Sequence, residues 1–237
     1  MIPIRDDQPR FSTPYVTYFI IALNALVFLF ELSVGAQSDR ALNGLIYHFG
    51  VVPEHFERAL AGSSTLSVPG LLLTILTSMF LHGGWLHIIG NMWFLWIFGD
   101  NIEDHIGHFP YLMFYLVSGF VASLTHILLN PASNVPSVGA SGAIAGVMGA
   151  YFVLYPRARV LTLVPLIIFF TFWWLPAWIF LGFWFVLQFL SGTASIAVTS
   201  QNTGGIAFWA HVGGFVAGIV LIKILPERKR RYRYAAW

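Results

Sequence analysis

The sequence predicts an all-α, polytopic membrane protein with six transmembrane helices. Three observations carry that reading. Of 237 residues, 57% are hydrophobic and only 9% are charged, where a soluble domain carries about 25%. So few charges cannot cover a water-facing surface. Apolar segments near the spanning length of about 20 residues recur along the chain. The Lys and Arg residues also fall almost entirely on one side of a six-span layout.

The first span is read at 15–34. It follows Arg5 and Arg10, as a signal peptide would. Its apolar run of about 20 residues exceeds the 7–15 of an h-region, so it is read as a retained span. The loop over 35–70 holds apolar residues, among them 44–50, and is expected to lie partly in the membrane interface. The second, third and fourth spans are read at 84–99, 109–129 and 141–155. No charge occurs from Val160 to Ile222, so two spans must fit there. The fifth lies within 160–190, which contains one span and some surplus. The sixth is 205–224, and the Ser-, Thr- and Gly-rich stretch 191–204 is the loop between them. Residues 1–14 form an N-terminal segment, 15–225 the six-helix domain and 226–237 a basic tail.

Charge placement supports the count. Six spans put both termini on one side, together with Arg5, Arg10, Arg157, Arg159, Lys223, Arg228, Lys229, Arg230, Arg231 and Arg233. Only Arg40 and Arg58 fall on the other side. The positive-inside rule makes the rich side cytoplasmic. The 228–233 cluster is read first as a topology anchor, and it could also bind anionic lipid. The net charge of +2 reflects topology and not a nucleic-acid partner. The chain has no cysteine, which excludes disulfides and thiolate chemistry.

Polar side chains at membrane depth are costly and call for a reason. His87, Ser141 and His211 lie on the three spans that run from outside to inside. Counting to the nearest cytoplasmic charge at 1.5 Å per residue places Ser141 roughly 24 Å above Arg157, His87 roughly 20 Å above Asp100 and His211 roughly 18 Å above Lys223. In a core of about 30 Å all three sit in the outer half at similar height. Gly142, Gly146 and Gly149 fall at helical spacing, as do Gly214 and Gly218. Such small residues let helix backbones approach closely in lipid, so the helices bearing Ser141 and His211 could touch.

A serine at a helix start is ordinarily an N-cap. A buried histidine is usually a packing residue, and an asparagine in a span is often interhelical glue. Their shared depth and the flanking glycines favour a joint site: Ser141 as nucleophile and His211 as its base. Burial keeps an imidazole neutral, and the neutral form can accept the serine proton. No Asp or Glu occurs between Asp104 and Glu227. Glu31, Asp39, Glu54 and Glu57 remain open as a third member, but a dyad is the simpler reading. His87 and Asn91 share a helix face. They and the Ser141 backbone N–H, free at a helix start, are candidate donors to an oxyanion. His82 lies five residues from His87, the wrong spacing for joint chelation on one helix, so no metal site is read. A transporter would show acidic partners in the spans and repeated halves, and neither is evident.

Three motifs resemble the rhomboid family of intramembrane serine proteases. They are His82-Gly83-Gly84-Trp85-Leu86-His87-Ile88-Ile89-Gly90-Asn91, Gly139-Ala140-Ser141-Gly142, and Ala210-His211-Val212-Gly213-Gly214 followed by Gly218. With the six-span plan they cover about 15–225. The resemblance implies a rhomboid-like bundle and a Ser141–His211 dyad, with His87, Asn91 and the Ser141 amide as the oxyanion hole. Gly142, Gly146, Gly214 and Gly218 would be the packing glycines. It further implies hydrolysis of peptide bonds in or near the transmembrane helices of other proteins within the lipid bilayer, near the outer surface. Small side chains are expected before the scissile bond, and no cofactor, metal or nucleic acid is expected. Phe172, Trp173, Trp174 and Trp178, placed on the fifth span, would border lateral substrate access, with 191–204 as a cap. The expected setting is a bacterial or archaeal cell membrane, both termini cytoplasmic. Two features depart from the family. Its frequent Trp-Arg pair before the second span is missing from Leu73-Thr74-Ile75-Leu76-Thr77-Ser78, so the first loop should be held differently. Ala145 also stands where an aromatic residue often packs on the histidine, so His211 must be oriented by another group.

Overall fold

The computed structural model describes residues 1–63, 67–166, 169–197 and 207–228. The chain opens with strand β1 (Ile2–Asp6) and helix α1 (Tyr15–Gly35), followed by three short helices, α2 (Asp39–Phe49), α3 (Pro53–Leu60) and α4 (Val68–Ser78). Next come α5 (Trp85–Ile106), α6 (His108–Leu129) and α7 (Ser141–Leu154). Strands β2 (Arg159–Leu166) and β3 (Phe169–Pro176) then lead into α8 (Ala177–Ala197) and α9 (Phe208–Ile224). Among the described residues, α1, α6 and the Ala177–Ser195 part of α8 are long and apolar enough to cross a bilayer unaided. α7 and α9 are shorter apolar helices. α5 has the length of a span, but its last turns carry Asp100, Glu103 and Asp104.

α7 is apolar all round its circumference, the pattern of a helix enclosed by others. Every residue from Gly142 to Tyr151 is buried. Its closest neighbour is α9, which also packs on α6. Glycines make that approach. A Cβ added to Gly214 or Gly218 would run into the carbonyl oxygen of Gly142 or Gly146, and one added to Gly149 into that of Phe215. On the other side, a Cβ on Gly142 would lie 2.7 Å from the Ala122 Cβ of α6, and one on Gly146 2.5 Å from the Ser118 Cβ. Lipid offers no hydrophobic drive between helices, so this close backbone contact is what dispersion has to work with.

The acidic end of α5 anchors the N-terminal segment. Glu103, fully buried, accepts from the Val16 and Thr17 backbone N–H groups at 2.9 and 2.8 Å and from the Thr17 hydroxyl at 2.7 Å. His108 Nδ1 lies 2.6 Å from the same carboxylate. The first N–H groups of a helix have no intrahelical partner and carry partial positive charge. Glu103 answers both needs at the start of α1. Asp104 likewise accepts from the Phe11 N–H and the Ser12 hydroxyl.

The all-α expectation needs one correction. Residues 160–166 and 169–176 are not the start of a fifth span. They form most of an antiparallel three-stranded sheet of order β1-β2-β3, with Arg159 opposite Pro176 and Leu166 opposite Phe169. β1 pairs with β2 from Ile2 opposite Leu163 to Asp6 opposite Val160. Val160, Thr162 and Val164 are buried, the alternation of a strand with one face on the bundle. Phe172, Trp173 and Trp174 therefore belong to β3, and of the four aromatic residues assigned to the fifth span only Trp178 lies on α8. The stretch is rich in Val, Thr, Phe and Trp, which suit a pleated surface. Its other face is apolar too, and an unbroken apolar run hides a strand from periodicity. The Trp93 indole donates to the Pro3 carbonyl at 2.6 Å, fastening β1 to α5.

Tyr151 donates to Asp6 at the end of β1. Burial raises the Asp6 carboxyl to about 6, the bond from Tyr151 opposing the rise. A folded pKa above the unfolded value favours the folded state at low pH. That contribution is full below about 4 and is lost as pH rises through about 6. The melting temperature is expected to fall over that interval. Asp6→Asn is expected to remove this part of the pH dependence, read by thermal unfolding in detergent between pH 4 and 8.

The first loop is structured. Ser38 caps α2, and Ser67 caps α4 by accepting from the Gly70 N–H. The Trp-Arg pair's place falls on α4, where the Thr77 hydroxyl reaches back to the Phe49 carbonyl at 2.6 Å. Val51 bridges to Ser137, in the loop before α7. Of the expected cap at 191–204, residues through Ala197 continue α8 and 198–204 lie outside the described residues. Beyond Arg228 the basic cluster lies outside them as well.

Candidate active site

Ser141 is the first residue of α7, and as such its N–H has no intrahelical acceptor. His211 lies in the first turn of α9, held beside Ser141 by the Gly142–Gly214 contact between the two helices. The His211 Nε2 is 2.8 Å from the Ser141 Oγ. The His211 Nδ1 is 2.7 Å from the Oε1 of Gln188 on α8. The His211 ring and the Ser141 hydroxyl open on a cavity of about 710 Å³ that is also lined by His87, Asn91, Met79 and Trp184.

His87 and Asn91 come from one face of the first turns of α5. The loop before Ser141 lets them close in. Gly139 has φ +129°, a conformation that suits glycine. A Cβ there would lie 2.7 Å from the His87 Nε2 and 3.6 Å from the Asn91 Nδ2, so both nitrogens lie over this residue. The Gly139 N–H is tied to the Ser78 carbonyl at 2.8 Å. The Gly83 N–H donates to the His87 Nδ1 at 3.3 Å. A neutral imidazole that accepts at Nδ1 carries its proton on Nε2, so His87 points a donor at the cavity. Among the described residues, the Asn91 Nδ2 is buried with no partner. A buried donor left open needs an acceptor from elsewhere, and a substrate oxygen in this cavity would supply one. Behind this wall both Glu31 carboxylate oxygens lie 3.1 Å from the His82 N–H, and the His82 Nδ1 contacts the Phe80 carbonyl at 3.3 Å. Glu31 thus secures the loop before His87.

Residues 69–228 match the family model of the rhomboid domain. This chain belongs to the rhomboid family. The family is known for intramembrane serine proteases, and the rhomboid is an integral membrane protein. It is 30% identical over 172 residues to rhomboid protein 1, mitochondrial, of Saccharomyces cerevisiae, covering 69% of this chain and 46% of that one. It is 33% identical over 138 residues to rhomboid protease GluP of Bacillus subtilis, covering 58% of this chain and 24% of the relative. Over 209 residues it is 30% identical to the mitochondrial presenilin-associated rhomboid-like protein of Mus musculus, covering 84% and 46%. The chain thus spans less than half the length of each of these three. Mitochondrial relatives stand beside the bacterial one, so the match assigns this rhomboid to a membrane without favouring the bacterial or archaeal one expected.

Ala145 of this rhomboid is fully buried in the core and offers His211 no ring. α8 supplies the contacts instead. Trp184 lies 5.7 Å from the His211 ring, tilted by 39°. Gln188, one turn further on, reaches the Nδ1. Neither residue is singled out by sequence reasoning. One signal was available: Gln188 is the lone amide in the long uncharged run of 160–190, and a polar group in a span needs a partner.

Proposed function

We propose that this rhomboid is an intramembrane serine endopeptidase that hydrolyses peptide bonds in or near the transmembrane helices of other membrane proteins. One observation carries the reading: a serine hydroxyl 2.8 Å from an imidazole nitrogen, on a cavity lined mostly by apolar residues of the helix bundle. The neutral His211 Nε2 takes the Ser141 proton as the Oγ attacks the scissile carbonyl carbon. The carbonyl oxygen becomes an oxyanion that accepts from the Ser141 N–H, the Asn91 Nδ2 and the His87 Nε2. The C–N bond breaks as His211 gives its proton to the leaving amine. Water gives a proton to His211 and attacks the acyl carbon; the ester C–Oγ bond breaks and His211 returns that proton to the Ser141 Oγ.

α1, α5, α6, α7, α8 and α9 serve as the six spans in this reading, with residues 1–14 and 226–237 in the cytoplasm. His87, Ser141 and His211 all lie near the N-terminal ends of their helices, whereas Asp100, Glu103 and Asp104 lie at the far end of α5. That supports a site facing the extracytoplasmic side. A substrate helix must unwind to expose its peptide bond, and bare backbone in lipid costs several kcal/mol per group. A polar cavity at this depth receives those groups.

The test is covalent labelling by a serine-directed fluorophosphonate, together with cleavage of a helical substrate in proteoliposomes. Labelling of wild type but not of Ser141→Ala is the expected result, and equal labelling of both would overturn the reading. Asn91→Ala is expected to lower kcat by about 10²- to 10³-fold, the usual effect of losing one oxyanion donor, with KM little changed. Full activity in that variant would remove Asn91 from the oxyanion hole.

A further inference from the structure

We propose that Gln188 is the positioning residue of the dyad, holding His211 in the one tautomer and rotation that presents a bare Nε2 to Ser141. This inference rests on the proposed protease reading. An amide oxygen can only accept. With Gln188 Oε1 2.7 Å from His211 Nδ1, the ring must carry its proton on Nδ1. The Nε2, 2.8 Å from the Ser141 Oγ, is then the lone-pair nitrogen. The opposite tautomer would set an N–H against the serine hydroxyl and would require the Gln188 amide to turn and donate its Nε2 to the bare Nδ1. Trp184 stands one helical turn before Gln188 and lies against the same ring. α8 therefore fixes His211 with two side chains, one setting the ring plane and one the proton.

The choice of an amide over a carboxylate has a physical reason. A carboxylate would also accept from Nδ1 and would stabilise the imidazolium formed in catalysis. A charge in the middle of a span is expensive, about 2.5–3.5 kcal/mol on insertion scales. Glutamine orients the imidazole without that cost, and forgoes the charge. Among the described residues, His87 of α5 and His126 of α6 are the titratable groups that act on His211. At its level α7 and α8 bring Ser141, Gln188 and Trp184, none of them charged.

The experiment measures kcat and KM against pH for wild type, Gln188→Leu and Gln188→Glu in proteoliposomes, with thermal unfolding of each. Gln188→Leu is expected to lower kcat by about 10- to 100-fold with KM unchanged, the range found when the hydrogen-bond partner of a metal-bound histidine is removed. Gln188→Glu keeps the shape and restores most of kcat at high pH. It moves the acidic limb of the pH–rate profile upward by about one pH unit or more, because the added charge favours the imidazolium. A merely structural role would leave that limb in place. Wild-type kcat in Gln188→Leu, or an unmoved limb in Gln188→Glu, would overturn the proposal while leaving the Ser141 reading intact. Nitrogen-15 spectra of histidine-labelled protein, with the His211 signal assigned by its absence in His211→Ala, give a readout independent of cleavage. A protonated Nδ1 in wild type that is lost in Gln188→Leu supports the assignment. A protonated Nε2 in wild type would overturn it, whether or not the protein cleaves.

Discussion

Ser141→Ala and His211→Ala are each expected to lower cleavage of a reconstituted transmembrane substrate by about 10⁴- to 10⁶-fold, the range seen when nucleophile or base is removed from a serine hydrolase. The two losses should not add. Once the hydroxyl has gone, the imidazole has no proton to take, and once the imidazole has gone the hydroxyl is a poor nucleophile. The double variant is therefore expected to match the worse single one. Neither substitution should unfold the protein, because both side chains border the cavity and their helices are held elsewhere. Thermal unfolding beside single-turnover cleavage separates the two effects. Cleavage by Ser141→Ala above about a hundredth of the wild-type rate would deny Ser141 its role.

Gly214→Ala and Gly218→Ala are expected to cost about 3 kcal/mol each, at the upper end for overpacking by one methyl group. The neighbour struck is a backbone carbonyl, of Gly142 or Gly146, which cannot rotate away as a side chain would. Relief requires α9 to draw back from α7, and that separation also lengthens the path from His211 to Ser141. Activity should fall together with the melting temperature. Gly44→Ala is the control: it lies in α2, where an added Cβ meets nothing within 4 Å. There the substitution should stabilise by about 0.5–1 kcal/mol through helix propensity alone. Equal effects at Gly44 and Gly214 would show that close backbone approach is not what these glycines provide.

The parts of the molecule differ in how far they can be read from the chain. α1 and α6 lie close to where uninterrupted apolar runs put them, because a span must satisfy its own backbone and so declares its length. Most of α4 lies between the loop read at 35–70 and the span read at 84–99, where its 11 residues fall short of a span. The hairpin of β2 and β3 was absorbed into a helix, since alternation vanishes when both faces of a strand are apolar. Ser141, His87, Asn91 and His211 stood out because each is polar where polarity is costly. Gln188 meets the same criterion but lies in no motif that ties it to His211.

Composition and spacing by themselves determined that the chain lives in a membrane, and they singled out a hydroxyl and an imidazole at one depth. Those are properties of single residues and of the solvent they must face. Which nitrogen of His211 faces Ser141, what holds its other nitrogen, and where the aromatic run after Arg159 goes were decided only by the tertiary structure. Each depends on a partner many residues away along the chain, as Gln188 is from His211 and β1 from β2. Such pairings are set by packing geometry, which no local pattern records.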